Sequence, residues 1–382
     1  MPPPDPFIGR EVLDGQFRIL QKIGSGGMGS VYKASQTAMN RMVAVKILHP
    51  KLANRKDLVS RFRREASAMS HLVHPNTVKV YLYGELEDGS LFIVMEFLEG
   101  RNLHQTVKKG GPLPFERALP ILIQVCGALE EAHQKGIVHR DLKPENIFLC
   151  SYLGNEDYPK VLDFGLAKVT EREMRPGSII LTQEGMVFGT PEFMSPEQAQ
   201  GKVLDARSDI YSLAAILYEA LTGKLPFDAK TPMEYIQHHV ASRPIDLNER
   251  IPGKTFPPEL AQAIAKALAK KPEDRFQSAA EFGEALHRIV PDANLNDALP
   301  ARSPSGMQPR GASSTDLNTP APGSTIPQVV QKGPSIGLII GVAAGSLVLG
   351  VIIAVLLMKS FMTQAPTPPA PAPSAPATVQ LR

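Results

Sequence analysis

His139-Arg140-Asp141-Leu142-Lys143-Pro144-Glu145-Asn146, followed seventeen residues after Asn146 by Asp163-Phe164-Gly165, decides how this chain is read. The first run puts a carboxylate, an ammonium and an amide into one loop. Asp141 can accept the proton of an attacking hydroxyl and orient it. Lys143 can neutralise charge developing on a phosphate, and Asn146 can hold a metal. Asp163 suits a second contact to that metal, because Mg2+ prefers carboxylate and phosphate oxygens. His139 reads as a structural histidine packed under the loop, since Asp141 already fills the role of base.

Upstream stands Gly24-Ser25-Gly26-Gly27-Met28-Gly29-Ser30-Val31. Glycines let a backbone turn tightly and approach phosphates without a Cβ in the way. Dinucleotide-binding folds use similar spacing, but they need a helix next and an acid about twenty residues on. Here Val31-Tyr32-Lys33-Ala34 continues as a strand, so the run reads as a hairpin lid over a nucleotide. Val43-Ala44-Val45-Lys46 places a lysine on a buried strand, where a charge is costly unless paired. Glu65, in Arg61-Phe62-Arg63-Arg64-Glu65-Ala66, is the expected partner.

Periodicity sorts the rest into two parts. Residues 17–97 alternate or run apolar as strands do, with one helix whose Phe62, Glu65, Ala66 and Met69 share a face. Residues 101–291 carry helical spacing, over Ala118 to His133, Tyr211 to Leu221 and Glu259 to Ala269. Strands followed by helices fit an α+β class, with residues 1–16 as a short tail. The 382 residues and 43% hydrophobic content allow one two-lobed domain of about 250–300 residues plus appendages, or two ordinary domains. A net charge of +3 gives no reason to expect nucleic acid as a partner. Cys126 and Cys150 cannot build a disulfide framework and read as buried filler of a reduced domain. His238-His239 lacks further ligands and reads as a solvated helix face rather than a metal site.

Taken in order, Gly24 to Val31, Lys46, Glu65, His139 to Asn146, Asp163 to Gly165 and Ser195-Pro196-Glu197 resemble the protein-kinase signature set. The likeness covers residues 17 to about 290, roughly 70% of the chain. It is greatest to bacterial eukaryotic-like Ser/Thr kinases, through Gly26-Gly27-Met28-Gly29, Phe62-Arg63-Arg64-Glu65-Ala66 and Pro272-Glu273-Asp274-Arg275-Phe276. The resemblance implies a two-lobed kinase fold, with an antiparallel N-lobe sheet plus one helix at 17–97 and a helical C-lobe at 101–291. It implies ATP with Mg2+, or Mn2+ in its place, and protein substrates. Asp141 and Lys143 become catalytic, and Asn146 and Asp163 bind metal. Gly24, Ser25, Gly26, Gly27, Met28, Gly29, Lys46 and Glu65 serve the ATP phosphates. Met95 is the gatekeeper, Glu96 and Leu98 offer hinge backbone to adenine, and Val31, Ala44 and Leu149 sandwich the ring. Met69, Tyr81, His139 and Phe164 resemble the stacked spine of an active kinase, Tyr81 being placed by counting back from Met95. Arg275 pairs with Glu197, and Asp209 holds the catalytic loop. Lys143 and Thr190 are typical of Ser/Thr rather than Tyr kinases. Ser195 stands where relatives have alanine and Ala214 where many have glycine. The stretch Cys150 to Tyr158 is longer than usual and reads as an extended surface hairpin.

Arg140 precedes the base, so the resemblance implies an anionic partner from the activation segment. A phosphate on Thr182, with Thr170 and Ser178 as weaker candidates, would supply it. Beyond 291 the composition shifts. Residues 292–335, rich in Pro, Ser, Gly, Ala and Thr, read as a disordered linker. The uncharged run 336–358 would reach roughly 34 Å as a helix, enough to span a bilayer. Residues 359–382 form a Pro/Ala-rich tail. ATP chemistry puts residues 17–291 in the cytoplasm and the tail outside the cell membrane. Gly337, Gly341 and Gly345 fit equally a helix-contact face for a homodimer and the ordinary glycine content of membrane helices. The amino terminus has neither the basic nor the apolar region of a signal peptide.

Overall fold

The computed structural model describes residues 5–26, 29–49, 56–152, 154–164 and 190–292. Gly27, Met28, Thr170, Ser178, Thr182, the linker, the 336–358 run and the tail lie outside the described residues. No helix among the described residues is long and apolar enough to cross a membrane.

The first lobe is one antiparallel sheet. Its strands are β1 Glu11–Val12, β2 Phe17–Gly26, β3 Gly29–Gln36, β4 Arg41–Leu48, β5 Val80–Glu85 and β6 Leu91–Glu96. They lie in the order β1-β2-β3-β4-β6-β5. In β4 the six residues from Val43 to Leu48 are all buried, as a strand with neighbours on both sides and cover on both faces must be. Helix α1, Lys56–Ser70, turns Phe62, Glu65, Ala66 and Met69 inward, the face expected from their spacing. Gly29 closes the β2–β3 hairpin, where an added Cβ would collide with the Ile47 carbonyl. At this position glycine is required by strand packing as well as by any ligand.

The stretch expected as a tail is built into this lobe from Asp5 onward. Gly9 N–H donates to Ile19 O, and Ile19 N–H donates to Arg10 O, both at 2.9 Å. Phe7, Val12 and Leu13 cover a small core of Phe17, Ile19, Tyr32, Val43, Val45, Phe92 and Val94 on one face of the sheet. Asp5 fastens the segment, 3.2 Å from Lys22 Nζ and accepting from Tyr32 O–H at 3.1 Å. These contacts are all non-local, so they left no periodic signal.

A second, three-stranded sheet runs β7 Gly100–Asn102, β8 Ile147–Tyr152 and β9 Asn155–Val161. Strands β8 and β9 form the hairpin expected over Cys150 to Tyr158, pairing from Ile147↔Val161 to Tyr152↔Asn155. Helices α2 Leu103–Gly110, α3 Phe115–Gln134, α4 Pro196–Ala199, α5 Ala206–Thr222, α6 Pro232–Ala241, α7 Leu247–Arg250, α8 Pro258–Ala267 and α9 Ala279–His287 complete the lobe. Helix α5 is buried nearly through its length, its buried polar side chains Ser208, Asp209 and Ser212 being hydrogen-bonded. Asp205 caps its start by accepting from Arg207 N–H, and Gly223 at φ 68° ends it. The large core runs without a break from Met69, Ile93 and Met95 through Leu149 and Phe164 to α3, α5 and α9. Cys126 and Cys150 are both buried, unpaired thiols.

Candidate active site

The loop 139–146 is held from below by one carboxylate. Asp209, in the first turn of α5, accepts from His139 N–H at 2.8 Å and from Arg140 N–H at 3.0 Å, and His133 Nε2 lies 2.7 Å away. Burial alone would raise the Asp209 pKa. The bond and charge of His133, with His139 and its N–H, hold it below the usual carboxylate value. Arg140 takes a left-handed conformation, φ 68°, between these anchors. His139 is fully buried, with Nε2 donating to Leu162 O at 2.8 Å and its ring 5.0 Å from that of Phe164. It is the structural histidine expected from the sequence.

Above this base the polar groups converge. Lys143 Nζ sits 2.7 Å from Asp141 Oδ2. Asn146 Nδ2 donates to the Asp141 carbonyl at 2.8 Å, which leaves its amide oxygen as the atom free for a cation. Lys46, only 8% exposed, reaches across from β4 and stands 2.7 Å from Asp163 Oδ2. Burial would raise the Asp163 pKa; Lys46, His139 and Lys143 instead draw it below the usual value. One carboxylate and one amide oxygen beside two ammonium groups form the donor set of a hard cation completed by phosphate oxygens.

Two expectations need correction here. The Lys46–Glu65 ion pair is not among those of the described residues. Glu65 stands 3.9 Å from Arg64 Nε, and Lys46 pairs with Asp163. A nearly buried ammonium takes the carboxylate placed against it, and the positive φ of Asp163, 57°, turns that residue into the cleft. Tyr81 does not join Met69, His139 and Phe164. It packs on the opposite face of the sheet, beneath Arg41 at 3.9 Å. A register shift between Val80 and Leu82 breaks the two-residue alternation, so counting back from Met95 fails. Val80, opposite Met95, lies on the core side of β5, and Tyr83 packs against the same core.

Met95 lies opposite Ala44 on neighbouring strands, and both border the large core together with Leu149, Val31 and Leu98. These five of the residues expected around adenine therefore belong to or pack against the same core. Gly24 pairs with Val31, Ser25 with Ser30 and Gly26 with Gly29 in the hairpin above. Glu96 does more than lend its backbone. Its carboxylate accepts from Lys79 N–H at 2.8 Å and meets Lys160 Nζ at 2.7 Å, three residues before Asp163. Partners 64 residues apart leave no spacing signal, so sequence reasoning missed this tie.

Beyond the loop, Gln198 Nε2 donates to Arg140 O at 2.8 Å, joining the 190–198 segment to the catalytic loop. Arg275 and Glu197 meet as expected, with two N–H···O bonds of 2.8 Å. His239, expected on a solvated face, is fully buried.

The sequence comparisons agree with this geometry. Residues 17–286 match the family model described as the protein kinase domain. The chain belongs to the protein kinase family. A kinase of Myxococcus xanthus, serine/threonine-protein kinase pkn3, is 40% identical over 302 residues, covering 79% of this chain and 55% of its own. PknB of Mycolicibacterium smegmatis is 39% identical over 323 residues, covering 81% and 50%. The chain thus spans about half the length of these curated relatives. The crystal structure of the Mycobacterium tuberculosis PknI kinase domain superposes with a TM-score of 0.56 at 27% identity, over 73% of this chain and 97% of that one.

Burial, with Glu145 and Glu192 nearby, pushes the pKa of Glu219 on α5 from 4.5 up to about 7. Between those values the folded chain keeps a proton that the unfolded chain has lost. Its contribution to stability therefore falls as pH rises through that window, by up to about 3 kcal/mol. Glu219→Gln cannot ionise. In urea titrations it is expected to add about 1–3 kcal/mol at pH 8 and almost nothing at pH 4.5. Equal effects at both pH values would refute the assignment.

Proposed function

We propose that this chain is a membrane-anchored Ser/Thr protein kinase that moves the γ-phosphate of ATP to protein hydroxyls. The observation that carries the reading is the convergence of Asp141, Lys143, Asn146, Asp163 and Lys46 in one cleft, below a glycine hairpin. In this reading Asp141 orients the acceptor hydroxyl and takes its proton. Lys143 and Lys46 stabilise negative charge on the phosphates. Asn146 and Asp163 would hold Mg2+ or Mn2+, which when bound screens the β- and γ-phosphates. Met95, Glu96, Leu98, Val31, Ala44 and Leu149 seat the base. Lys143, Thr190 and the names of the relatives support Ser/Thr specificity.

The finer parts rest on the sequence. The run 336–358 supports a single membrane span, with the kinase domain on the cytoplasmic side. The Gly337, Gly341 and Gly345 spacing supports self-association. The Thr- and Ser-containing segment before Thr190 supports autophosphorylation, at Thr182 first. One experiment addresses the activity and this switch together. The full chain is incubated with γ-labelled ATP, Mg2+ and casein. Label is expected on serine and threonine of casein and on a peptide containing Thr182. Label on tyrosine, or release only as inorganic phosphate, contradicts the Ser/Thr kinase reading. A segment 163–197 free of phosphate contradicts the switch.

A further inference from the structure

Beneath the 190–195 segment lies a buried hydrogen-bonded chain that the phosphoryl-transfer groups do not use. His239, near the end of α6, is fully buried. Its Nε2 lies 3.0 Å from the Glu192 carbonyl, and its Nδ1 lies 2.9 Å from Tyr211 Oη on α5. A carbonyl oxygen only accepts, so Nε2 carries the hydrogen and donates. Nδ1 is then the acceptor and takes the Tyr211 O–H. Burial, with the Lys270 ammonium nearby, pushes the His239 pKa down to about 3, so the ring stays neutral and this tautomer holds.

The surroundings fix the ring. Lys270 Nζ donates to His238 O at 3.0 Å and His239 O at 2.9 Å, carbonyls at the end of α6. The same ammonium lies 4.6 Å from the Phe227 ring centre, and the Phe227 ring meets His239 edge-on at 5.0 Å. The segment above is held in the same manner. Phe193 O accepts from Ser212 O–H at 2.7 Å, Ser195 accepts from Gln198 N–H, and Gln198 reaches Arg140 O. Lys46 and Asp163 pair with each other at 2.7 Å. The 190–198 segment joins the loop of Asp141 at its neighbour Arg140, through Gln198.

We infer that His239 is a positioning residue for the protein acceptor: its Nε2–H fixes the backbone at Glu192, and so α6 sets how an acceptor chain is seated beside Asp141. This rests on the kinase reading above. A side chain that merely filled the core would give no preference for a donor at the Nε2 position. A positioning role does, and two amides separate the cases. A glutamine in place of His239 would carry its amide nitrogen to the place of Nε2, whereas an asparagine there would reach only toward Tyr211.

The test is steady-state kinetics of the full chain with ATP, Mg2+ and casein. His239→Asn is expected to raise the KM for casein at least about fivefold, with kcat and the KM for ATP within about twofold of wild type. His239→Gln is expected to stay within about twofold throughout. Tyr211→Phe, which loses only a hydroxyl, is expected to raise the casein KM about two- to threefold and serves if His239→Asn fails to fold. Equal casein KM values for the asparagine and glutamine variants overturn the inference. So does an unchanged casein KM in Tyr211→Phe, or a parallel rise in both KM values. A wild-type chain that leaves casein unlabelled overturns the kinase reading and this inference together, which no variant result does.

Discussion

Asp163→Asn is expected to slow phosphoryl transfer by at least about 10²–10³-fold and to destabilise the folded chain. Two effects converge on this residue. Its carboxylate is the one acidic oxygen donor proposed for the metal, and it is the counter-ion of Lys46 at 2.7 Å. Breaking a fully buried ion pair costs about 3–5 kcal/mol. The Asp163 side chain is 32% exposed while that of Lys46 is 10% exposed, so the cost here is set at about 1–3 kcal/mol. The pH dependence gives an independent check. A carboxylate held below its ordinary value of 3.8 adds stability that is present above that pH and is lost as pH falls through the folded-state pKa. Wild type and variant should therefore converge in stability in acid and separate toward neutrality. Urea titrations at several pH values and initial rates with ATP measure both. A variant of wild-type rate, or a stability gap that does not change with pH, would remove Asp163 from the site.

The second large effect lies outside the cleft. All five N–H donors of Arg275 are used: by Glu197 Oε1 and Oε2 and by the carbonyls of Ala269, Arg207 and Lys270. Its side chain has no exposed surface. Ser208 O–H also donates to Glu197, at 2.6 Å. Glu197→Ala leaves a buried cation, two unpaired N–H groups and an unpaired hydroxyl. The expected cost is about 3–5 kcal/mol. For a domain of this size that is a fall of roughly 6–20 °C in melting temperature. Replacing both Glu197 and Arg275 with methionine removes the charges together and is expected to recover part of the loss. Thermal melts decide it: a Glu197→Ala chain melting within about 2 °C of wild type would show that the pair is not the anchor of this region.

What could be read from the sequence follows how local each feature is. Asp141, Lys143 and Asn146 share one loop, so their convergence is written into their spacing. The inward face of α1 is visible as Phe62, Ala66 and Met69 at helical intervals, because neighbours on a helix face are three or four residues apart. Glu197 and Arg275 lie 78 residues apart and became a pair only through the family resemblance. Where a bulge or a non-local contact decided the geometry, the reading failed. The shift after Val80 put Tyr81 on the wrong face of the sheet, since a bulge is invisible to counting. Lys46 was assigned to Glu65 by charge and by the family resemblance, whereas its ion-pair partner is Asp163 at 2.7 Å. His239 was read as solvated because the His238-His239 pair lacks further ligands, whereas its burial comes from packing by Phe227, Tyr211 and Lys270. Asp5 to Val12 read as a tail because an edge segment gains its order from the sheet it joins.

The central claim is that Asp141 acts as the base of a Ser/Thr phosphoryl transfer. Its most direct measurement is the initial rate of label transfer from γ-labelled ATP to casein by the full chain, beside Asp141→Asn at matched fold and concentration. Asparagine keeps the size of the side chain and removes its proton acceptor. The account predicts phosphoserine and phosphothreonine from wild type and a rate at least about 10²-fold lower from the variant. Equal rates from the two proteins, or no transfer from wild type, would contradict it.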